Sequence, residues 1–287
     1  MKNIIKLKEQ GFCFGVKRSI EIVEDILKNE STKKPIYLLG NLVHNKHVND
    51  YFKQKGIIVL ENSSRQKMLD EIKEGTVIIT AHGVSDKVLN KARMKKLDII
   101  NATCPYVTKT VDVIKEKAKE GYKLLYIGKL NHPEVETIVD EISDAIIIDN
   151  NTLPVLDKNN KYIIAHQTTL SDYDVETVTK EIIKKYPFVK LLKQICIFPE
   201  KRQQEINSFI FPKGRNLSIV VGDTKSNNST KLKELFLRKK QSDVIMINDV
   251  EEIDESNIID YDNIIIASGT STPIKIVDEI YKKIGGK

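Results

Sequence analysis

Short β-branched runs alternate with amphipathic stretches along the whole chain, and this alternation limits the fold more than any other feature. Twelve runs look like buried strands: 4–8, 36–40, 57–60, 77–81, 98–101, 123–127, 145–149, 162–165, 189–193, 217–221, 244–247 and 263–267. Amphipathic patterning predicts helices over 18–29, 46–55, 86–97, 107–120, 134–142, 173–185, 228–240 and 274–284. Strand–helix alternation leads to parallel sheets joined by right-handed crossovers.

The alternation hides a repeat. Three strand ends carry Gly with a polar residue four positions on: Gly40 with His44, Gly128 with His132, and Gly222 with Ser226. Three others carry Ala and then a polar residue: Ala81-His82, Ala165-His166 and Ala267-Ser268. A third set leads to Cys13, Cys104 and Cys196, which are 91 and 92 residues apart. The expected fold is α/β, with three pseudo-symmetric units. Each is a mostly parallel four-stranded sheet with helices, and together they form a trefoil around a central cavity. The domains expected are 14–104, 105–196, and 197–287 completed by the amino-terminal strand within 1–13. Ligands of open parallel sheets bind at the carboxyl ends of strands, and all nine of these positions lie at such ends.

Composition narrows the class. The 287 residues are 40% hydrophobic and 30% charged, enough for a real core. No apolar run approaches the ~18 residues of a membrane span, and the opening MKNIIKLKEQ is too charged for a signal peptide. The expected compartment is the cytoplasm, with no membrane partner. The net charge of +6 comes from interspersed Lys and Arg without a basic block, which argues against a dedicated nucleic-acid binder. Three cysteines are too few for a disulfide framework, and no CxxC occurs.

Three converging thiolates suit a soft metal centre. Zinc with a fourth ligand is one option; an iron–sulfur cubane with one iron left open is the other. Without convergence the cysteines are small core residues. His44, His82, His132 and His166 suit an anion site or metal ligands, or simply loop positions. The run DTKSNNST at 223–230 and the run GTSTP at 269–273 each precede a helix. Each can cradle a phosphate or serve as an ordinary capped loop. Glu134 in NHPEVE can act as a general acid or as a first-turn helix glutamate. The run QTTLS at 167–171 can bind a substrate hydroxyl or cap a helix. No P-loop and no GxGxxG occurs, so nucleotide hydrolysis and dinucleotide binding have no support.

Together these motifs resemble the 4-hydroxy-3-methylbut-2-enyl diphosphate reductase (LytB-type) family. The resemblance rests on GFCFGVKRSI at 11–20, VHN at 43–45, AHGVS at 81–85 and ATCPYVTK at 102–109. It continues through NHPEVE at 131–136, QTTLS at 167–171, the third cysteine with RQ at 202–203, and the Ser/Asn run at 226–229. The motifs stand in the family's order and span essentially the whole chain. The resemblance implies a 4Fe-4S cluster on Cys13, Cys104 and Cys196. It implies diphosphate binding by His44, His82, His132, Ser226, Asn227, Asn228 and Ser271. It also implies proton delivery by Glu134 with Thr168 near the substrate alcohol, and Thr169 beside them. The implied reaction removes the allylic hydroxyl reductively, as the last step of the methylerythritol phosphate route. Isopentenyl and dimethylallyl diphosphate are the products, with ferredoxin or flavodoxin as electron donor. The chain departs from the family after its third cysteine, where CIFPEKRQ places Pro199 and Glu200, and at Asn227 and His166. An alternative reading is a non-catalytic Fe–S or zinc-binding relative that senses redox state or binds a diphosphate.

Overall fold

The computed structural model describes residues 2–61, 64–149, 152–170, 172–193 and 195–286. In chain order the strands are β1 (Asn3–Lys6), β2 (Ile36–Leu39), β3 (Ile57–Leu60), β4 (Thr76–Ile79), β5 (Asp98–Asn101) and β6 (Tyr122–Ile127). They continue with β7 (Ile146–Ile148), β8 (Lys161–His166), β9 (Lys190–Leu191), β10 (Asn216–Val221), β11 (Asp243–Ile247) and β12 (Asn263–Ser268). The helices are α1 (Phe14–Lys28), α2 (Lys46–Gln54), α3 (Arg65–Glu71), α4 (Asp86–Met94), α5 (Pro105–Lys119) and α6 (Pro133–Glu141). They continue with α7 (Asp172–Lys185), α8 (Phe198–Ser208), α9 (Asn227–Lys239), α10 (Glu255–Ile258) and α11 (Ile274–Lys283), with a 3-10 turn at Val250–Glu252.

All twelve expected strands are present, and they form three four-stranded sheets in the orders β3-β2-β4-β5, β7-β6-β8-β9 and β11-β10-β12-β1. The three orders are the same pattern. The fold is thus α/β with three similar parallel sheets, and every pairing among the described residues is parallel. The amino-terminal strand β1 joins the last sheet by pairing with β12, in the register Ile4↔Ile264.

Contacts divide the chain into two compact units. One comprises Met1–Val16, His44–Val48 and Ile197–Lys287, and holds the sheet of β1, β10, β11 and β12. Both faces of this sheet are covered. Leu217, Ile219, Val221, Ile264 and Ile266 pack with Val277 and Ile280 of α11. Val220, Ile265 and Ala267 pack on the other face with Ile206 of α8 and Leu232 and Phe236 of α9. That is why these strands read as continuous apolar runs: alternate residues point to opposite faces, and both faces are dry.

The other unit comprises Lys17–Val43 and Asn49–Cys196, and holds the remaining two sheets. Leu39, Val77 and Ile79 pack with Met68 and Leu69 of α3 and Val88 and Ala92 of α4. Leu125, Ile127 and Ile164 pack with Val178 and Ile182 of α7. On the opposite face of that sheet, Leu124, Tyr126 and Ile163 pack with Ile114 of α5 and Val135 and Ile138 of α6. None of the helices formed by the described residues is long and apolar enough to cross a membrane.

Three helices were not legible in the pattern: α3, α8 and α10. The run after the third cysteine, expected as a loop, is the helix α8, and Pro199 sits buried in its first turn. Proline suits that turn because the amide it lacks has no partner within the helix. Helix α1 also begins four residues earlier than the periodicity suggests, directly after Cys13.

Candidate active site

Glu134 is the most unusual group in the two-sheet unit. It lies in the first turn of α6, is 5% exposed, and carries no basic partner among its described contacts. Its carboxyl accepts two hydrogen bonds from one residue: the Thr168 amide donates to Oε2 at 2.9 Å, and the Thr168 hydroxyl donates to Oε1 at 2.7 Å. Burial pushes its pKa above the usual carboxylate range, while the two Thr168 donors pull it partly back. The result is a carboxyl that keeps its proton to higher pH than a surface glutamate does, as a general acid requires.

Chain geometry explains the position. Strand β6 ends at Ile127, and the Gly128–His132 turn delivers His132 to the N-cap of α6. A Cβ on Gly128 would lie 2.7 Å from Val135 and 3.0 Å from Tyr126, so only glycine lets the turn close on the helix that bears Glu134. His132 Nδ1 accepts from the Glu134 amide at 3.2 Å, which leaves the proton of the neutral ring on Nε2. The His82 ring stands edge-on to it, with centroids 5.7 Å apart.

The rest of α6 is anchored by carboxylates. Glu136 pairs with the buried Arg65 at the start of α3, at 3.1 Å, and accepts from the Arg65 amide at 2.8 Å. Asp140 accepts from Ser85, the N-cap of α4, at 2.7 Å. Glu141 accepts from Lys115 at 2.7 Å. On the β8 side, Gln167 is fully buried; it accepts from the Lys129 amide and donates to the Thr169 hydroxyl at 2.6 Å. Thr168 and Thr169 are thus held by the same turn that follows β8. Ser171 of the expected QTTLS run lies outside the described residues. His166 closes β8, and its Nδ1 lies 3.2 Å from the Gln167 carbonyl oxygen.

In the one-sheet unit, Ser226 caps α9, and Asn227 and Asn228 form the helix's first turn. The Ser226 hydroxyl lies 3.2 Å from that of Ser271, which donates to the His44 carbonyl at 3.2 Å. Thr272 ties the same loop to the Val221 carbonyl at 2.9 Å. The glycines of this cradle are obligatory. A Cβ on either Gly222 or Gly269 would fall 2.1 Å from the Ser229 hydroxyl. A helix N-terminus ringed by hydroxyls and amides is able to accept an anion.

Of the three cysteines, Cys104 is buried, and Cys13 and Cys196 are half-buried. Each stands at the start of a helix: Cys13 directly before α1, Cys104 as the N-cap of α5, and Cys196 one residue before the N-cap of α8. Cys104 makes no side-chain cap bond, so its sulfur is not spent on the helix. Each sulfur follows the outer strand of its own sheet and stands at a helix start, where negative charge is favoured. The Glu200 carboxylate accepts from Gln204 on its own helix at 2.7 Å. Sequence reasoning assigned no individual role to Glu136, Arg202 or Glu205, and read Gln167 only as part of the QTTLS run. A lone Gln or Arg in a polar run carries no periodic signal that would single it out.

Three parallel sheets with a buried acid beside a threonine place the chain among α/β enzymes whose chemistry gathers at strand ends. The chain belongs to the LytB family: the family model described as "LytB protein" matches residues 4–285. A 4-hydroxy-3-methylbut-2-enyl diphosphate reductase of Bacillus thuringiensis (strain Al Hakam) is 40% identical over 282 residues, covering 96% of this chain and 88% of the relative. The protein of that name from Anoxybacillus flavithermus is 39% identical over 280 residues, with the same shares covered. The solved E-1-hydroxy-2-methyl-but-2-enyl-4-diphosphate reductase of Plasmodium falciparum superposes with a TM-score of 0.88 at 30% identity, covering 98% of this chain and 87% of that one. A second solved structure, titled as the terminal enzyme of the non-mevalonate pathway, gives 0.69 at 28% identity, with 99% of each chain covered.

Proposed function

We propose that the chain reduces 4-hydroxy-3-methylbut-2-enyl diphosphate to isopentenyl and dimethylallyl diphosphate in the cytoplasm, as the last step of the methylerythritol phosphate route. The single observation that carries this reading is the buried Glu134–Thr168 pair in a chain of this family. The reaction consumes two electrons and two protons. The allylic C–O bond breaks, its oxygen leaves as water, and one proton ends on carbon.

Glu134 holds the proton at its carboxyl and passes it toward the substrate alcohol, and Thr168 orients both that carboxyl and the alcohol. Thr169 borders the same end of the substrate. The diphosphate is held by His44, His82, His132, Ser226, Asn227, Asn228 and Ser271; the His132 Nε2–H and the α9 amides are donors for its oxygens. Cys13, Cys104 and Cys196 would hold a 4Fe-4S cluster, which would supply electrons and Lewis acidity when bound. Ferredoxin or flavodoxin delivers the electrons, and neither a membrane nor a nucleic acid takes part. The chain is organised as domains 14–104, 105–196, and 197–287 with 1–13.

The test is anaerobic reconstitution with iron and sulfide, followed by oxidation of reduced methyl viologen on adding the substrate. Wild type turns over with formation of isoprenoid diphosphates. Glu134→Gln keeps its iron and loses about 10²–10⁴-fold in kcat, the range for a general acid. Cys104→Ala loses iron. Iron without turnover in the wild type moves the chain to the sensor or diphosphate-binding alternative.

A further inference from the structure

Arg202 is a second buried charged group, and the reaction as derived does not use it. It lies on α8, six residues after Cys196, and is 5% exposed. Its guanidinium donates from Nη2 to the Gly11 carbonyl at 2.6 Å and from Nη1 to the Ser268 carbonyl at 2.5 Å. Gly11 lies two residues before Cys13, and Ser268 opens the loop that carries Ser271. The same two segments also meet through their backbones: the Gly11 amide donates to the Ser268 hydroxyl, and the Cys13 amide to the Thr270 carbonyl, both at 3.0 Å. One helical turn further on, Glu205 accepts from the amides of Lys8 and Glu9. Helix α8 thus holds Lys8, Glu9 and Gly11, the residues that lead to Cys13.

The charge balance is the informative part. Among the described residues, Arg202 has no ion pair. All its hydrogen-bond acceptors are carbonyl or hydroxyl oxygens. A buried guanidinium left to neutral acceptors is costly unless an anion shares its surroundings. The ionisable side chains near enough to act on it are Cys13, Glu9 and Glu205, and Cys13, once its thiol is ionised, acts most strongly. Glu205 is committed to the backbone amides.

Building on the cluster assignment above, we infer that Arg202 is a positioning residue with two tasks: its fork locks the Cys13 segment to the 268–271 anion loop, and its charge balances the thiolate and the cluster that Cys13 holds. The ligand loop and the diphosphate loop are then one mechanical piece. Substrate binding at Ser271 is felt at Cys13, and loss of the cluster loosens the anion cradle.

The test compares wild type, Arg202→Lys and Arg202→Met, each metal-free and anaerobically reconstituted. On the metal-free proteins, hydrogen exchange reads the Gly11 and Cys13 amides. On the reconstituted proteins, iron release to a chelator and the midpoint potential of the cluster are read. In Arg202→Met both amides exchange at least tenfold faster, iron release accelerates, and the potential moves more negative, because a nearby positive charge no longer favours the added electron. Arg202→Lys keeps the charge but not the fork, so exchange and iron release accelerate while the potential stays at the wild-type value. Wild-type exchange and potential in Arg202→Met overturn the inference. If Arg202→Met does not fold, wild-type exchange and iron release in Arg202→Lys overturn it. A wild type that takes up no iron sinks the cluster assignment instead, and exchange at the two amides then decides the clamp alone.

Discussion

Replacing Thr168 by valine isolates one hydrogen bond at the candidate acid. Valine keeps the volume and the β-branch, so no cavity opens, and the backbone amide still donates to Glu134 Oε2 at 2.9 Å. What disappears is the hydroxyl donating to Oε1 at 2.7 Å. Such a bond contributes about 0.5–1.5 kcal/mol to a neutral carboxyl and about 1.5–3 kcal/mol to a charged one. The cost of the substitution therefore depends on pH. Burial has already raised the folded pKa of Glu134 above its unfolded value. The stability it contributes is fully present below the unfolded pKa and is lost as pH rises through the folded one. Removing a donor that favours the charged form raises the folded pKa further, so the variant loses more on the same climb. We expect Thr168→Val to cost about 1 kcal/mol where Glu134 is protonated and about 2 kcal/mol once the pH is above its folded pKa, read by urea unfolding of the metal-free protein across a pH series followed by far-UV dichroism. In a Glu134→Gln background the carboxyl no longer titrates, so its part of the pH dependence disappears. Equal costs across the pH series with Glu134 present would refute the reasoning, as would a pH dependence that survives undiminished in the Gln background.

Two further outcomes follow from the anion cradle and from α8. Ser226→Ala removes the N-cap of α9 and the 3.2 Å contact with Ser271. It lowers stability by about 1 kcal/mol and raises KM several-fold with kcat within about threefold; steady-state kinetics with an unchanged KM count against the cradle. Glu200→Ala leaves KM and kcat within about twofold, because the Glu200 carboxylate is engaged with Gln204 on its own helix; the same kinetics with a fall in KM would show that the charge reaches the substrate.

Local pattern was enough for a large part of the fold. Strands such as Asn263–Ser268 and Asn216–Val221 are buried on both faces, so their apolar runs are unbroken and readable. The repeated Gly, Ala and Cys positions foretold three similar four-stranded units, because equivalent strand ends face equivalent loop tasks; their common strand order came from the structure. Helices α3 and α8 escaped, since both are short or polar and are held by contacts distant in sequence: Arg65 with Glu136, Arg202 with Gly11. The cysteines, the histidines and Glu134 were visible as motifs. Their surroundings were not. That Glu134 is buried against Thr168, that Gln167 holds the Lys129 turn, and that Glu200 lies along its own helix are facts of packing between segments far apart in the chain. The sequence alone determined which groups are present and where in each repeat they stand, because strand and helix periods are local. The tertiary structure decided which of them lose water and which find partners. Those two quantities set the proton affinity of Glu134 and leave Arg202, among the described residues, a charge without an ion pair, and neither is encoded within any one stretch of chain.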